Sequence, residues 1–224
     1  WGMEAHTITV PKTAHYYTIG KPSKEIKQLW IACHGYGQLA KKFIYKFEAF
    51  DDGKTLVIAP DALSRFYFVS SLGRNPASCW MTREDRLDEI ADYANYLQTI
   101  YDQFVPQLAE DVQINLFGFS QGTATVCRWM MAKLPRFDNL ILWGGHMPED
   151  IDYLPNVDYV NSKNPHFVYG NEDQFLTPDR LKWIDDNASK SQINLRKTVF
   201  EGKHVVDREL LGKVKAELDA LILV

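Results

Sequence analysis

A chain of 224 residues, of which 46% are hydrophobic, can bury a sizeable core and is expected to form one α/β domain over residues 1–224. Its net charge of −4 and its lack of a long basic cluster argue against nucleic acid as a partner. Its longest apolar runs are far shorter than the roughly 20 residues that cross a bilayer, so no integral membrane segment is expected.

The first third of the chain alternates between strand and helix patterns. Ile8-Thr9-Val10 and residues 15–19 are predicted to pair as an N-terminal antiparallel hairpin at the edge of a sheet. Residues 28–33 and 55–60 are almost continuously apolar, as in strands covered on both faces. Residues 40–50 carry apolar side chains at helical spacing between these two strands, which predicts a parallel sheet with right-handed crossovers.

The remainder continues the alternation after one irregular stretch. Residues 61–81 are expected to be a long binding loop, followed by a helix that Thr82 caps. Further strands and helices are predicted at 112–117, 123–134, 139–143, 166–169, 180–188, 195–200 and 205–223. This order is typical of an α/β fold with a mostly parallel central sheet flanked by helices.

The cysteines and the N-terminus bear on the cellular compartment. Cys33, Cys79 and Cys127 show neither CxxC nor CxxH spacing, which favours reduced packing cysteines over disulfides or a zinc site. Reduced thiols and the absence of a signal-peptide core indicate a cytoplasmic location, unless a leader has been removed.

One pentapeptide between a predicted strand and a predicted helix carries the chemistry: Gly118-Phe119-Ser120-Gln121-Gly122. The pattern G-x-S-x-G in this context indicates a nucleophile elbow, whose sharp turn leaves no room for side chains beside the serine. An ordinary glycine-rich turn with an idle serine is the alternative. Ser120 is a nucleophile only if an imidazole accepts its proton and a carboxylate orients that imidazole.

Candidate bases are the histidines that follow predicted strands, because functional groups of such sheets gather at the carboxyl ends of strands. His34, His146 and His204 meet this condition. His204 follows the last strand in a polar loop and is the preferred base. His146 is the rival, either as a base or as a substrate contact.

The preferred carboxylate is Asp173, three residues beyond the Gly170 that ends a predicted strand, and Glu172 is the runner-up. Ser120, Asp173 and His204 then follow the chain order of α/β-hydrolases, which a base at His146 would break.

An oxyanion hole needs two preorganised backbone N–H groups. The residue after the nucleophile, Gln121, supplies one at the start of a helix. The glycine-rich loop His34-Gly35-Tyr36-Gly37-Gln38, which follows an early strand, is the candidate for the other.

Taken together, these motifs resemble the carboxylesterase/phospholipase family of α/β-hydrolases, which includes the acyl-protein thioesterases. The resemblance rests on four stretches: His34-Gly35-Tyr36-Gly37, the pentapeptide around Ser120, Gly170-Asn171-Glu172-Asp173 with Pro178 downstream, and Gly202-Lys203-His204. It implies an α/β-hydrolase fold without a large lid domain and the amides of Tyr36 and Gln121 as the oxyanion hole. The chain departs from the family at Gln38, where an acidic residue is usual.

The expected function is hydrolysis of carboxylic esters or thioesters through an acyl-enzyme on Ser120, without a metal or cofactor. The expected partner is a small-molecule acyl ester or thioester. A serine peptidase on the same fold and a non-catalytic binding protein are the alternatives.

Four side chains are expected to line the substrate pocket: Phe66, Phe68, Trp80 and His146. Arg65 or Arg74 is the candidate for meeting an anionic group on the substrate. The residues do not specify the acyl length, the leaving group or the oligomeric state, for which a homodimer is one option.

Overall fold

Nine strands appear in the computed structural model, which describes residues 1–222. They are β1 (Tyr16–Ile19), β2 (Gln28–Cys33), β3 (Thr55–Pro60), β4 (Ser64–Ser70), β5 (Gly73–Cys79), β6 (Gln113–Phe119), β7 (Asn139–Trp143), β8 (His166–Gly170) and β9 (Arg196–Phe200). Seven of them form one sheet in the order β1-β3-β2-β6-β7-β8-β9, in which only β1 is antiparallel to its neighbour. This arrangement confirms the predicted mostly parallel sheet.

Helices connect the parallel strands. They are α1 (Ala40–Phe43), α2 (Arg86–Phe104), α3 (Gln121–Lys133), α4 (Val157–Asn161), α5 (Pro178–Lys190) and α6 (Arg208–Ile222), with 3₁₀ turns at Ile44–Phe50, Val105–Gln107 and Leu154–Asn156. None of the helices within residues 1–222 is long and apolar enough to cross a membrane. The predicted end of the last helix, Leu223, lies outside the described residues.

Strand β2 shows why the sheet is covered on both faces. Leu29, Ile31 and Cys33 point into one apolar layer, which α2 and α3 complete. Trp30 and Ala32 point into the opposite layer, completed by α6 and the 3₁₀ turn after α1. All five side chains are fully buried, and burying each of the larger ones contributes roughly 1.5–3 kcal/mol.

The antiparallel N-terminal pairing is present, but its partner differs from the predicted one. Strand β1 pairs with β3, so that Tyr16 lies opposite Pro60. Ile8-Thr9-Val10 forms no strand, and Ile8 is 87% exposed. High β propensity is insufficient there because the segment packs against no apolar surface.

The predicted binding loop at residues 61–81 is wrong in its main part, because it contains a β-hairpin. Strands β4 and β5 pair along seven residues, from Ser64–Cys79 to Ser70–Gly73. Pro76 argues against a strand at sequence level, but β5 is an edge strand and tolerates the missing N–H. A bridge between Gln38 and Ser78 attaches the hairpin to the loop after β2.

The start of α2 also differs from the predicted one. The helix begins at Arg86, and Asp85, with a left-handed φ of 47°, precedes it without a capping side-chain bond. Thr82 instead accepts a hydrogen bond from the Glu84 amide through its hydroxyl.

Candidate active site

The turn at Ser120 has the backbone of a nucleophile elbow. Strand β6 ends at Phe119 and α3 begins at Gln121, so Ser120 alone makes the turn, with φ 54° and ψ −118°. A non-glycine residue in this region is strained and persists only where its surroundings hold it. A Cβ at Gly122 would lie 2.2 Å from the Cys33 carbonyl oxygen, so α3 can pack this closely only with glycine there.

Ser120, His204 and Asp173 form one hydrogen-bonded row. His204 Nε2 lies 2.9 Å from Ser120 Oγ, and His204 Nδ1 lies 2.6 Å from Asp173 Oδ2. The side chain of Asp173 is 1% exposed, and its other oxygen accepts a hydrogen bond from the Phe175 amide. With a proton on Nδ1, facing the carboxylate, Nε2 presents its lone pair to the serine hydroxyl.

Two other candidates from the sequence, the carboxylate of Glu172 and the imidazole of His34, are not part of this row of hydrogen bonds. The runner-up carboxylate, Glu172, is exposed to solvent. His34 is fully buried, and its Nδ1 lies 2.7 Å from the Gly35 carbonyl oxygen. Its Nε2 accepts a hydrogen bond from the Ala62 amide at 3.1 Å, and its ring packs against Trp80 at a centroid distance of 5.2 Å. Both ring nitrogens are therefore bonded within the framework of the site.

The glycine-rich loop after β2 runs directly beside Ser120. A Cβ at Gly35 would lie 3.1 Å from Ser120 Cβ. The Gly35 amide donates to Gln38 Oε1 at 2.7 Å, so Gln38 supplies a neutral acceptor that holds the turn. Within residues 1–222 the amides of Tyr36 and Gln121 have no hydrogen-bond partner. Two unpaired N–H groups beside a nucleophile, one of them at the N-terminus of α3, can stabilise an oxyanion.

The buried carboxylate of Asp61 stabilises the chain next to that loop. Its carboxylate is 2% exposed, accepts hydrogen bonds from the Ala40 amide and the Ser78 hydroxyl, and pairs with Arg65 at 2.8 Å. Burial acts to raise the pKa of this carboxyl, but polar contacts with His34, Ala40 and Ser78 outweigh it and hold the pKa well below its ordinary range.

Trp80 is part of the framework that holds the elbow. It is 2% exposed, and its indole donates to the His34 carbonyl oxygen at 2.8 Å. The Gln121 side chain accepts a hydrogen bond from the Trp80 amide and donates one to the Met81 carbonyl oxygen. The segment that precedes α2 is thereby attached to the start of α3.

A cavity of about 470 Å³ opens beside Ser120 and His204. Its volume falls in the range of small-molecule sites. Its wall comes mainly from α3, the segment after β7 and the first turns of α5, and includes Thr123, Gly144, Gly145, His146, Phe175, Leu176, Arg180 and Trp183.

Of the four predicted pocket residues, only His146 lines this cavity. Phe66 packs against the Tyr36 ring at a centroid distance of 5.0 Å, and Phe68 lies against Gly37. Trp80 is buried in the framework just described. These three aromatic side chains therefore do not line this cavity, and a role for them in substrate binding stays a prediction.

The two arginines predicted to meet an anion are also outside the cavity. Arg65 pairs with Asp61, and the guanidinium of Arg74 lies 3.9 Å above the Tyr67 ring. The cavity contains other arginines, which the sequence motifs did not single out: Arg86, Arg128 and Arg180.

Arg180 and His146 form a contact inside the cavity. The guanidinium of Arg180 donates to His146 Nε2 and stacks 4.1 Å from the Trp183 ring. Burial, and then the neighbouring guanidinium, lower the pKa of His146, which keeps the ring neutral. One sequence signal could have identified Arg180: it is a cation in the first turn of a helix, where the helix dipole disfavours it.

The chain is similar to known proteins both in sequence pattern and in fold. The sequence model of the phospholipase/carboxylesterase family matches residues 14–222. No protein with curated annotation matches the chain.

Solved structures with the same fold include acyl-protein thioesterase 2 of Zea mays, with a TM-score of 0.68 and 16% identity over 94% of this chain and 100% of that one. Esterase PE8 matches with a TM-score of 0.63 and 17% identity over 93% of this chain and 99% of that one. A phospholipase/carboxylesterase from Dyadobacter fermentans DSM 18053 matches with a TM-score of 0.60 and 16% identity over 96% and 99%. Identities this low establish the fold alone.

Proposed function

Because the chain belongs to the phospholipase/carboxylesterase family, we propose that it is a serine hydrolase that cleaves carboxylic esters or thioesters through an acyl-enzyme on Ser120. The observation that carries the proposal is the row of hydrogen bonds from Ser120 Oγ through the His204 ring to Asp173, at 2.9 and 2.6 Å. The named activities of the esterase and thioesterase of like fold agree with it.

In the first half of the reaction, Ser120 Oγ attacks the acyl carbon while His204 Nε2 takes the hydroxyl proton. Asp173 stabilises the imidazolium that results. The negative charge that develops on the acyl oxygen is met by the amides of Tyr36 and Gln121. When the tetrahedral intermediate collapses, the bond to the leaving oxygen or sulfur breaks, and the imidazolium returns its proton to that atom.

In the second half, a water molecule takes the place of the serine hydroxyl. His204 accepts a proton from the water as its oxygen attacks the acyl carbon, and the proton then returns to Ser120 Oγ as the acid product leaves. The proposal needs no group beyond these side chains and amides.

A fluorophosphonate probe tests the proposal directly, because it phosphonylates an activated serine. Wild type is expected to gain one adduct, located on Ser120 by peptide mass spectrometry, and Ser120→Ala is expected to gain none. The circular dichroism spectrum and melting temperature of the variant serve as the folding control. A folded wild type that remains unlabelled would falsify the proposal.

Substrate panels separate the esterase from a peptidase on the same fold. Turnover of 4-nitrophenyl esters or thioesters without turnover of peptide 4-nitroanilides is the expected result. The reverse preference would assign the site to peptide hydrolysis.

A further inference from the structure

The guanidinium of Arg180 is an uncompensated cation in the cavity that contains Ser120 and His204. It donates to the neutral ring of His146 and stacks on Trp183, and neither partner carries a negative charge. Among residues 1–222 no carboxylate forms an ion pair with it; Glu149, which also lines the cavity, is exposed and forms none.

The other two arginines of the cavity differ in this respect. Arg86 pairs with Asp150 Oδ2 at 2.6 Å, and Arg128 pairs with Asp150 Oδ1 at 3.0 Å. The Asp150 carboxylate thus pairs with both guanidinium groups, and it compensates one of their two positive charges. Within residues 1–222, Arg180 is the cavity arginine that forms no ion pair with a carboxylate.

The location of Arg180 in α5 is electrostatically unfavourable for a cation. It lies in the first turn of α5, where its amide donates to the capping hydroxyl of Thr177. The positive end of the helix dipole is directed at this turn, so a cation here is destabilised and an anion is stabilised. A half-buried guanidinium at this place gains most from a bound anion, which it can contact with two parallel N–H groups.

His146 fixes the position of the Arg180 guanidinium relative to Ser120. Its Nδ1 lies 2.9 Å from the Met147 carbonyl oxygen, so Nδ1 carries the proton and Nε2 is left to accept from Arg180. The hydroxyl of Thr123 lies 3.3 Å from the His146 carbonyl oxygen and donates to the Ser120 carbonyl oxygen at 2.7 Å. Arg180 is therefore connected to Ser120 through His146 and Thr123.

We propose that Arg180 determines specificity for esters or thioesters that carry a carboxylate away from the scissile bond, and that His146 is its positioning residue. This inference rests on the proposed hydrolase function. The carboxylate belongs either to the acyl chain or to the leaving group, and the arms of the experiment distinguish these sources.

The experiment compares two matched ester pairs. The mono-4-nitrophenyl ester of adipic acid against 4-nitrophenyl hexanoate places the carboxylate on the acyl side. The pair 4-acetoxybenzoate and 4-acetoxybenzamide places it on the leaving group. Wild type is expected to favour the charged member of one pair, and Arg180→Leu to lower that ratio of kcat/KM about 10- to 100-fold. Equal ratios in wild type and Arg180→Leu for both pairs would overturn the proposal.

Two variants separate local recognition from general electrostatics. Lys182→Leu removes the same charge from an exposed position on the same helix, where Lys182 pairs with Asp186, and is expected to leave the ratio unchanged. Arg180→Lys is expected to retain part of the preference. A loss of the preference in Lys182→Leu equal to that in Arg180→Leu would show a long-range field and contradict the proposal.

The role of His146 has its own readout. His146→Ala is expected to raise KM for the charged ester more than for the neutral one, and His146→Gln, whose amide oxygen can still accept from Arg180, to recover part of the difference. A change in kcat alone, equal for both esters, would contradict a positioning role.

Binding measurements keep this inference distinguishable from the proposed hydrolase function. Calorimetric titration of Ser120→Ala with adipate against adipamide, and with 4-acetoxybenzoate against 4-acetoxybenzamide, requires no catalysis. Tighter binding of a charged member, lost on adding Arg180→Leu, supports the anion site even if wild type fails to react with the fluorophosphonate. Labelling of Ser120 without any such difference supports the hydrolase and overturns the anion site.

Discussion

His204 Nδ1 lies 2.6 Å from Asp173 Oδ2, against a carboxylate side chain that is 1% exposed. An asparagine at residue 173 would be neutral. If its NH₂ group donated to His204 Nδ1, the imidazole would carry its proton on Nε2 and could not accept the proton of Ser120. Asp173→Asn is therefore expected to lower kcat on a neutral 4-nitrophenyl ester about 10³- to 10⁴-fold while KM changes little. The exposed neighbour Glu172 gives the matched control: Glu172→Gln should stay within about twofold of wild type. The opposite pattern would assign the acid to Glu172.

The two histidines at the cavity are expected to differ in their effect on the chemical step. His204 contacts Ser120 Oγ at 2.9 Å, whereas His146 Nε2 is occupied by Arg180. His204→Ala should lose about 10³-fold or more in the rate of fluorophosphonate labelling, and His146→Ala at most about tenfold. The labelling rate is measured by gel fluorescence over time. A larger loss in His146→Ala would move the base to His146.

Part of this site is predictable from local sequence, and part depends on distant contacts. The carboxyl ends of parallel strands meet at one edge of a sheet, so the sequence could predict that Ser120, Asp173 and His204 lie close together, as their hydrogen bonds show they do. The contact between Arg180 and His146 joins residues 34 positions apart on two different connections, and no motif encodes it.

The errors in the predicted fold also arise from contacts between distant parts of the chain. The hairpin of β4 and β5 is attached by the bridge between Gln38 and Ser78 and by Phe68 packing against Gly37. Its pattern includes Pro76 and lacks a typical hairpin dipeptide, so its stability comes from contacts outside the segment. Ile8-Thr9-Val10 shows the converse, because strong β propensity without a surface to pack against gives no strand.

Two glycines in helices offer a matched pair for testing the elbow. A Cβ at Gly122 would lie 2.2 Å from the backbone oxygen of Cys33, which cannot move aside without displacing β2. Gly122→Ala is expected to lower the free energy of unfolding by more than about 2 kcal/mol and to slow labelling of Ser120. Gly212, on the exposed side of α6, has no atom within 4 Å of an added Cβ.

The variant Gly212→Ala should raise the free energy of unfolding by about 0.5–1 kcal/mol, because alanine has the higher helix propensity. Urea denaturation measures both variants. A Gly122→Ala protein as stable and as reactive as wild type would contradict the close packing of α3 on the end of β2.

The loop after β2, residues 34–38, is expected to lose stability in acid. The reason is that the buried carboxylate of Asp61 accepts hydrogen bonds from the Ala40 amide and the Ser78 hydroxyl and pairs with Arg65. Because the pKa of its carboxyl is lower in the folded chain than in the unfolded one, its contribution to stability is full above about pH 4, the unfolded pKa, and is lost as the pH falls toward the folded value. Asp61→Asn should lower the free energy of unfolding by about 3 kcal/mol at pH 7.

That deficit should shrink by about 1.4 kcal/mol for each pH unit below about 4, because the wild-type carboxylate loses its advantage as it becomes protonated in the unfolded state first. Urea denaturation at pH 7 and pH 3 measures the two values. Asp92→Asn, at an exposed position on α2, is the control and should follow the wild-type curve at both. A deficit of the same size at both pH values would mean that the shape of the Asp61 side chain, and not its charge, stabilises the loop beside Ser120.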